Sequence, residues 1–159
     1  MRQCTRSPIL WATLVFASSS LAASANQKKD DPAQIDIEFT DVQKQTLQFI
    51  DYYETIELTR EQDQIKFDAL TELPAVCCAS NSAYTCCCVC NLSRTVWGLT
   101  AYLITERDYD TKQIQAAVKK WTKFVNSEGF SGDTCFKSGC GRSFENNGCG
   151  GMNPRRLAW

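Results

Sequence analysis

The 159-residue chain carries 17 basic and 18 acidic residues, ten cysteines and no histidine. A balance this close to neutral, without a basic cluster, excludes an electrostatic nucleic-acid surface. The missing histidine excludes Ser-His-Asp and Cys-His nucleophile pairs, histidine-ligated zinc and imidazole proton transfer.

Residues 1–25 have the pattern of a cleavable signal peptide. Arg2 and Arg6 precede an apolar run from Ile9 to Ala17, and small residues follow, ending Ala23-Ser24-Ala25. The run is shorter than the roughly 20 apolar residues of a membrane-spanning helix. The two arginines are not adjacent, so a twin-arginine signal is not indicated. An extracytoplasmic location, periplasmic or secreted, is expected after cleavage near Ala25. Cys4 would leave with the peptide. The remainder then has 15 basic and 18 acidic residues, a formal charge of −3, and nine cysteines. No second apolar run of spanning length follows, so no transmembrane segment is expected in the mature chain, and an envelope protein is the expected kind of partner.

Residues 26–38 are polar and read as a flexible leader. Residues 39–128 read as a helical domain holding a cysteine loop at 77–90, and residues 129–159 as a Gly/Cys-rich irregular segment. The fold class expected is all-α, a small helical bundle. Thr40 or Asp41 can cap a first helix whose face is Val42, Thr46, Phe49, Ile50 and Tyr53. Thr59 and Gln62 form a capping-box pattern for a second, with Ile65, Ala69, Leu70 and Leu73 inward and Pro74 closing it. Leu92, Val96, Leu99 and Leu103 mark a third. Asp110 or Thr111 caps a fourth, with the stripe Ile114, Ala117, Val118, Trp121 and Val125. The short connection around Asp108-Tyr109 favours an antiparallel hairpin. No strand pattern is strong enough to place a sheet. Trp97, Tyr102, Trp121 and Phe124 read as core residues.

The chemistry lies in the cysteines. Cys77, Cys78, Cys86, Cys87, Cys88 and Cys90 fall within fourteen residues. Adjacent cysteines rarely bond each other, because a disulfide needs Cα atoms about 4.4–6.8 Å apart with a near-perpendicular torsion. Three readings stay open. One is a disulfide-stapled interaction module without catalysis, although nine thiols cannot all pair within one chain. A second is a thiolate site for a soft metal, Zn or Cu(I), with Cys77, Cys78, Cys87 and Cys90 as ligands and Cys86 or Cys88 as spares or disulfide partners. The third is thiol–disulfide exchange on an envelope partner, with Cys87 attacking and Cys90 resolving. A helix start beside Cys87-x-x-Cys90 would favour a thiolate there. Cys90 is followed by Asn91, which excludes the C-x-x-C-H haem attachment motif. Seven of the eight glycines lie at 129–151, among Cys135, Cys140 and Cys149. These three cysteines read as structural cross-links for a segment that cannot build its own core.

Cys87-x-x-Cys90-Asn91-x-Ser93, ahead of a helical pair ending Trp121-x-x-Phe124-Val125, resembles the exported thiol reductases of cytochrome c maturation, small helical bundles with C-x-x-C-Q before such a hairpin. That resemblance implies disulfide reduction by Cys87 and Cys90. Leu73-Pro74-Ala75-Val76-Cys77-Cys78 with the same C-x-x-C is also similar to a bacterial extracytoplasmic family of unknown function with a P-C-Y-C-G-C motif, which implies an exported cysteine site. The chain departs from the first family in its additional Cys77, Cys78, Cys86 and Cys88, and from the second in lacking its histidine. Extra thiols beside a redox pair invite scrambling, which moves the balance toward metal.

Overall fold

A computed structural model describes residues 35–159. The expected signal peptide and most of the expected leader lie outside these residues. The described chain belongs to one compact unit. It is mostly helical, with α1 at Val42–Thr55, α2 at Arg60–Thr71, α3 at Asn91–Arg107 and α4 at Thr111–Val125.

Each helix starts where a side chain takes over its free N–H groups. Asp41 accepts from Lys44 N ahead of α1. Thr59 and Gln62 form the expected capping box of α2, and Asp110 with Gln113 forms another at α4. The α3 cap is Cys90, whose sulfur accepts from Ser93 N at 3.5 Å. Asp108 ends α3 in the left-handed conformation, φ 48°, and so turns the chain into α4 within three residues. The pair is antiparallel: Trp121 late in α4 donates through Nε1 to Thr95 Oγ1 early in α3, at 3.1 Å.

α3 is the central element, because one continuous core surrounds it. It packs against α1, α2 and α4. Its approach to α1 is set by Gly98, where a Cβ atom would stand 1.8 Å from Phe49 O. Phe49 and Trp121 meet edge to face with centroids 4.9 Å apart, and Phe39 packs on both. Trp97 donates Nε1–H to Ala83 O at 2.8 Å, which ties the cysteine loop to α3. Trp97 and Trp121 are thus core residues with satisfied donors.

Two features differ from expectation. Between α2 and α3 lies a two-stranded antiparallel sheet, β1 at Pro74–Ala75 and β2 at Cys78–Ser82, so the fold is helical with a small hairpin rather than all-α. The β2 sequence, Cys-Ala-Ser-Asn-Ser, has no apolar alternation to announce a strand. In the expected leader, Ile37 is buried, and Asp36 pairs with Arg107 and accepts from the Tyr109 hydroxyl. Packed chain therefore begins before residue 39.

The segment from Gly129 onward has one short 3-10 turn at Gly139–Gly141 and otherwise irregular backbone. It folds back on the cysteine loop and the start of α3. Ala79 N donates to Gly132 O at 2.7 Å, Cys135 N to Cys77 O at 3.0 Å, and Leu92 N to Cys149 O at 3.0 Å. Gly150, at φ +72°, lies so near Phe144 that a Cβ would come within 2.5 Å of the ring. Only glycine meets both conditions.

Candidate metal centre

Three stretches converge on one end of α3. The hairpin turn brings Cys77 and Cys78, the loop before α3 brings Cys86 to Cys90, and the C-terminal segment brings Cys135, Cys140 and Cys149. All nine described cysteines are free thiols. Their sulfurs form two groups of three in which every sulfur lies within 4.8 Å of the others: Cys77, Cys86 and Cys90, and Cys87, Cys88 and Cys135. Each group can hold a metal ion.

The groups have different surroundings. In the first, Cys77 and Cys90 are buried and Cys86 is half-buried. The Cys77 and Cys86 sulfurs are 3.7 Å apart. An apolar recess of about 160 Å³, lined by Leu73, Ala75, Val76, Val96 and Val118 among others, abuts these two cysteines. In the second group Cys87 is exposed, and Cys88 and Cys135 are half-buried. Cys135 lies 3.3 Å from Cys87 and 3.5 Å from Cys88, and Cys87 lies 3.9 Å from Cys88.

These separations suit metal ligation. Four sulfurs about 2.3 Å from a tetrahedral zinc stand about 3.8 Å from one another. Three sulfurs around a trigonal ion at that bond length stand about 4.0 Å apart.

The remaining cysteines border the groups. Cys149 is in contact with the Cys90 sulfur and donates to Cys140 O at 3.4 Å. Cys140 is 3.9 Å from Cys135. Asn81 Nδ2 donates to the Cys78 sulfur at 3.1 Å, and the Ser80 hydroxyl lies 3.4 Å from it.

Charge in the buried group settles on Cys90. Contacts from the Cys149, Cys77 and Cys86 thiols, together with Ser93 N–H, lower its pKa against the opposing effect of burial. The shift is upward for its partners. Hydrogen bonding to Cys86 and Cys90, then burial, raises Cys77; bonding to Cys90, then burial, raises Cys149. In the other group, desolvation and then the Cys135 and Cys78 sulfurs push the Cys87 thiol up to about 12. Cys78 is lowered, chiefly by the Ser80 hydrogen bond.

The thiols that sequence spacing selected as ligands are divided. Cys77 and Cys90 come together with Cys86. Cys87 stands with Cys88 and Cys135, and Cys78 is held by Ser80 and Asn81. The C-x-x-C pair is split between the groups, and it is Cys90 rather than Cys87 that takes an N–H of the α3 terminus. Cys135, read from sequence as a structural cross-link, is a member of the exposed group. Its partners lie 47 and 48 residues earlier, so no local spacing connects them. Arg94 reaches no thiol in the described contacts; its Nη1 donates to Asn91 Oδ1 and Met152 O.

Asn91 organises the joint between helix and segment. Its backbone N–H donates to Gly151 O, and its side-chain amide donates to Gly150 O at 2.8 Å and Asn153 O at 2.9 Å. Among the described residues, no helix is long and apolar enough to cross a membrane. Neither family models, nor curated proteins, nor solved structures match the chain.

Proposed function

We propose that this protein binds a soft transition metal, Zn(II) or Cu(I), through cysteine thiolates. The observation that carries the proposal is the gathering of six sulfurs from three chain segments into two groups at ligand-like spacing. Disulfide stapling would gather sulfurs in pairs rather than in threes. Thiolate selects soft and borderline ions over Mg²⁺ or Ca²⁺. The chain offers no histidine, and its one methionine among the described residues, Met152, is largely exposed. A metal here would be held almost entirely by sulfur.

Two considerations weigh against a dithiol oxidoreductase. An exchange pair must be able to bond within itself, yet Cys87 and Cys90 belong to different groups. An attacking thiol works best with a pKa near ambient pH, whereas Cys87 is raised to about 12. We place the protein outside the cytoplasm on the pattern of residues 1–25. In an oxidising compartment, metal ligation would protect these thiols from pairing with one another.

The test is elemental analysis of protein purified from its native compartment, with thiols counted by alkylation and mass after denaturation. Stoichiometric zinc or copper with the cysteines recovered as thiols is expected. Metal-free protein carrying four disulfides would overturn the proposal in favour of the stapled module.

A further inference from the structure

The two sulfur groups are unlike in ways that bear on what each does with a metal. The inference rests on the metal-binding reading. We infer that the protein holds two metal ions with different tasks. The Cys77–Cys86–Cys90 ion is retained and fixes the fold. The Cys87–Cys88–Cys135 ion is exchangeable and passes to an incoming thiol.

Retention follows from closure. A structural thiolate site has four protein ligands, whereas a reactive site keeps one position open. A further sulfur, Cys149, is itself buried, touches Cys90 without joining the mutual 4.8 Å set, and is anchored by Leu92 N–H on Cys149 O, so the candidate fourth ligand comes from inside the protein. Cys77 and Cys90 are buried, and Cys86 is half-buried beside an apolar recess. The trio's ligands come from the hairpin, the loop after it and the α3 cap, and Cys149 would add the C-terminal segment, so an ion there ties together pieces that share little apolar core.

Exchange follows from exposure. In the other trio Cys87 is exposed and Cys88 and Cys135 are half-buried, so a ligand from outside the chain can reach an ion held there. Three thiolates with an exterior face leave a coordination position to something outside the chain. An incoming thiol can bond the ion there. As its sulfur–metal bond forms, the Cys87–metal bond breaks, and the proton of the incoming thiol passes through solvent to the Cys87 sulfur. No electron is transferred, and the metal keeps its oxidation state. The chemical class of partner is therefore a thiol-bearing metal acceptor or donor.

The experiment loads the reduced full-length mature protein with Zn(II), counts bound ions by native mass spectrometry, and follows their withdrawal by excess chelator. Two equivalents are expected, one leaving in a fast phase and one in a slow phase. Cys87→Ser with Cys135→Ser should bind one equivalent and lose the fast phase alone. Both substitutions lie in the accessible group, so the retained ion keeps the fold intact. Pulsed alkylation of the loaded wild-type protein gives a second measure, with Cys87 modified ahead of Cys77, Cys86 and Cys90. Withdrawal of both ions in a single phase, or loss of the slow phase in the double variant, would overturn the division of tasks while leaving metal binding intact. Failure to bind zinc at all would overturn both.

Discussion

α3 faces two regions built by different means. Toward α1 and α4 it presents Leu99 and Leu103, fully buried, beside Phe49 and Trp121. Toward the hairpin and the C-terminal segment, its first turn presents N–H groups, an asparagine amide and a sulfur. The first region is stabilised by apolar area removed from water. The second is stabilised by backbone hydrogen bonds across irregular chain, with Phe144 and few other apolar side chains buried in it. Hydrogen bonds contribute about 1 kcal/mol each net of water. A segment resting on them alone is marginal against the entropy of ordering about thirty residues. The helical end can therefore fold on packing, while the cysteine end rests mainly on backbone hydrogen bonds.

Four substitutions sharpen or break this contrast. Trp121→Ala should have the largest effect, a loss of about 3–5 kcal/mol, because it empties the aromatic core and removes the indole donor to the Thr95 hydroxyl, which keeps only its bond to Leu92 O. Urea denaturation followed by helical circular dichroism measures it; a loss below 1 kcal/mol would mean the helices do not rest on that core. Gly98→Ala comes next, at about 1–3 kcal/mol, since α1 must move off α3 to admit the methyl group. An unchanged thermal midpoint would refute the close approach.

Asn91→Ala addresses the joint. It removes the amide that bridges Gly150 O and Asn153 O, which keep their backbone donors Ala158 N and Arg156 N, at a cost of about 0.5–1.5 kcal/mol for each bond lost. The loss should fall on the C-terminal segment: amide exchange at residues 139–151 accelerates while that of α4 holds. Equal acceleration in both would show that the two regions unfold as one. The smallest effect concerns Asp36, on the exposed side of the helical region. The Tyr109 hydroxyl, with further help from the Arg107 charge, holds its carboxyl below the ordinary value near 3.8. Because the folded value is the lower one, the stabilisation is present above about pH 4 and is lost as pH falls through the folded value. The wild type and Asp36→Asn should therefore differ slightly in melting temperature at pH 7 and converge near pH 2. A gap that widens on acidification would contradict the pairing.

The helical region was legible in the sequence because its signals are local. The capping box at Thr59 and Gln62 and the stripe from Ile114 to Val125 each span a few turns, and the structure places them as expected. The Asp110–Gln113 box carried the same kind of signal and was visible only in part, as a cap. The hairpin was not legible, because its strands are two and five residues long and β2 is held by backbone pairing to β1 and to Gly132 rather than by an apolar face. The partition of the cysteines was not legible either. Spacing showed that Cys77 to Cys90 are dense, but Cys135 joins Cys87 and Cys88 through a fold-back across 47 and 48 residues. Gly98 gave no periodic signal, since a helix-interior glycine is explained only by the neighbour it admits.

The run Cys86-Cys87-Cys88-Val89-Cys90 gives its first and last members to the buried group and two of its inner ones to the exposed group. Fixing Cys86 and Cys90 makes a loop of five residues whose inner thiols have little volume left to explore. That raises their effective concentration for a second ion, as a short linker does for a tethered ligand. On the two-ion reading, occupancy should accordingly rise in order, inner ion first.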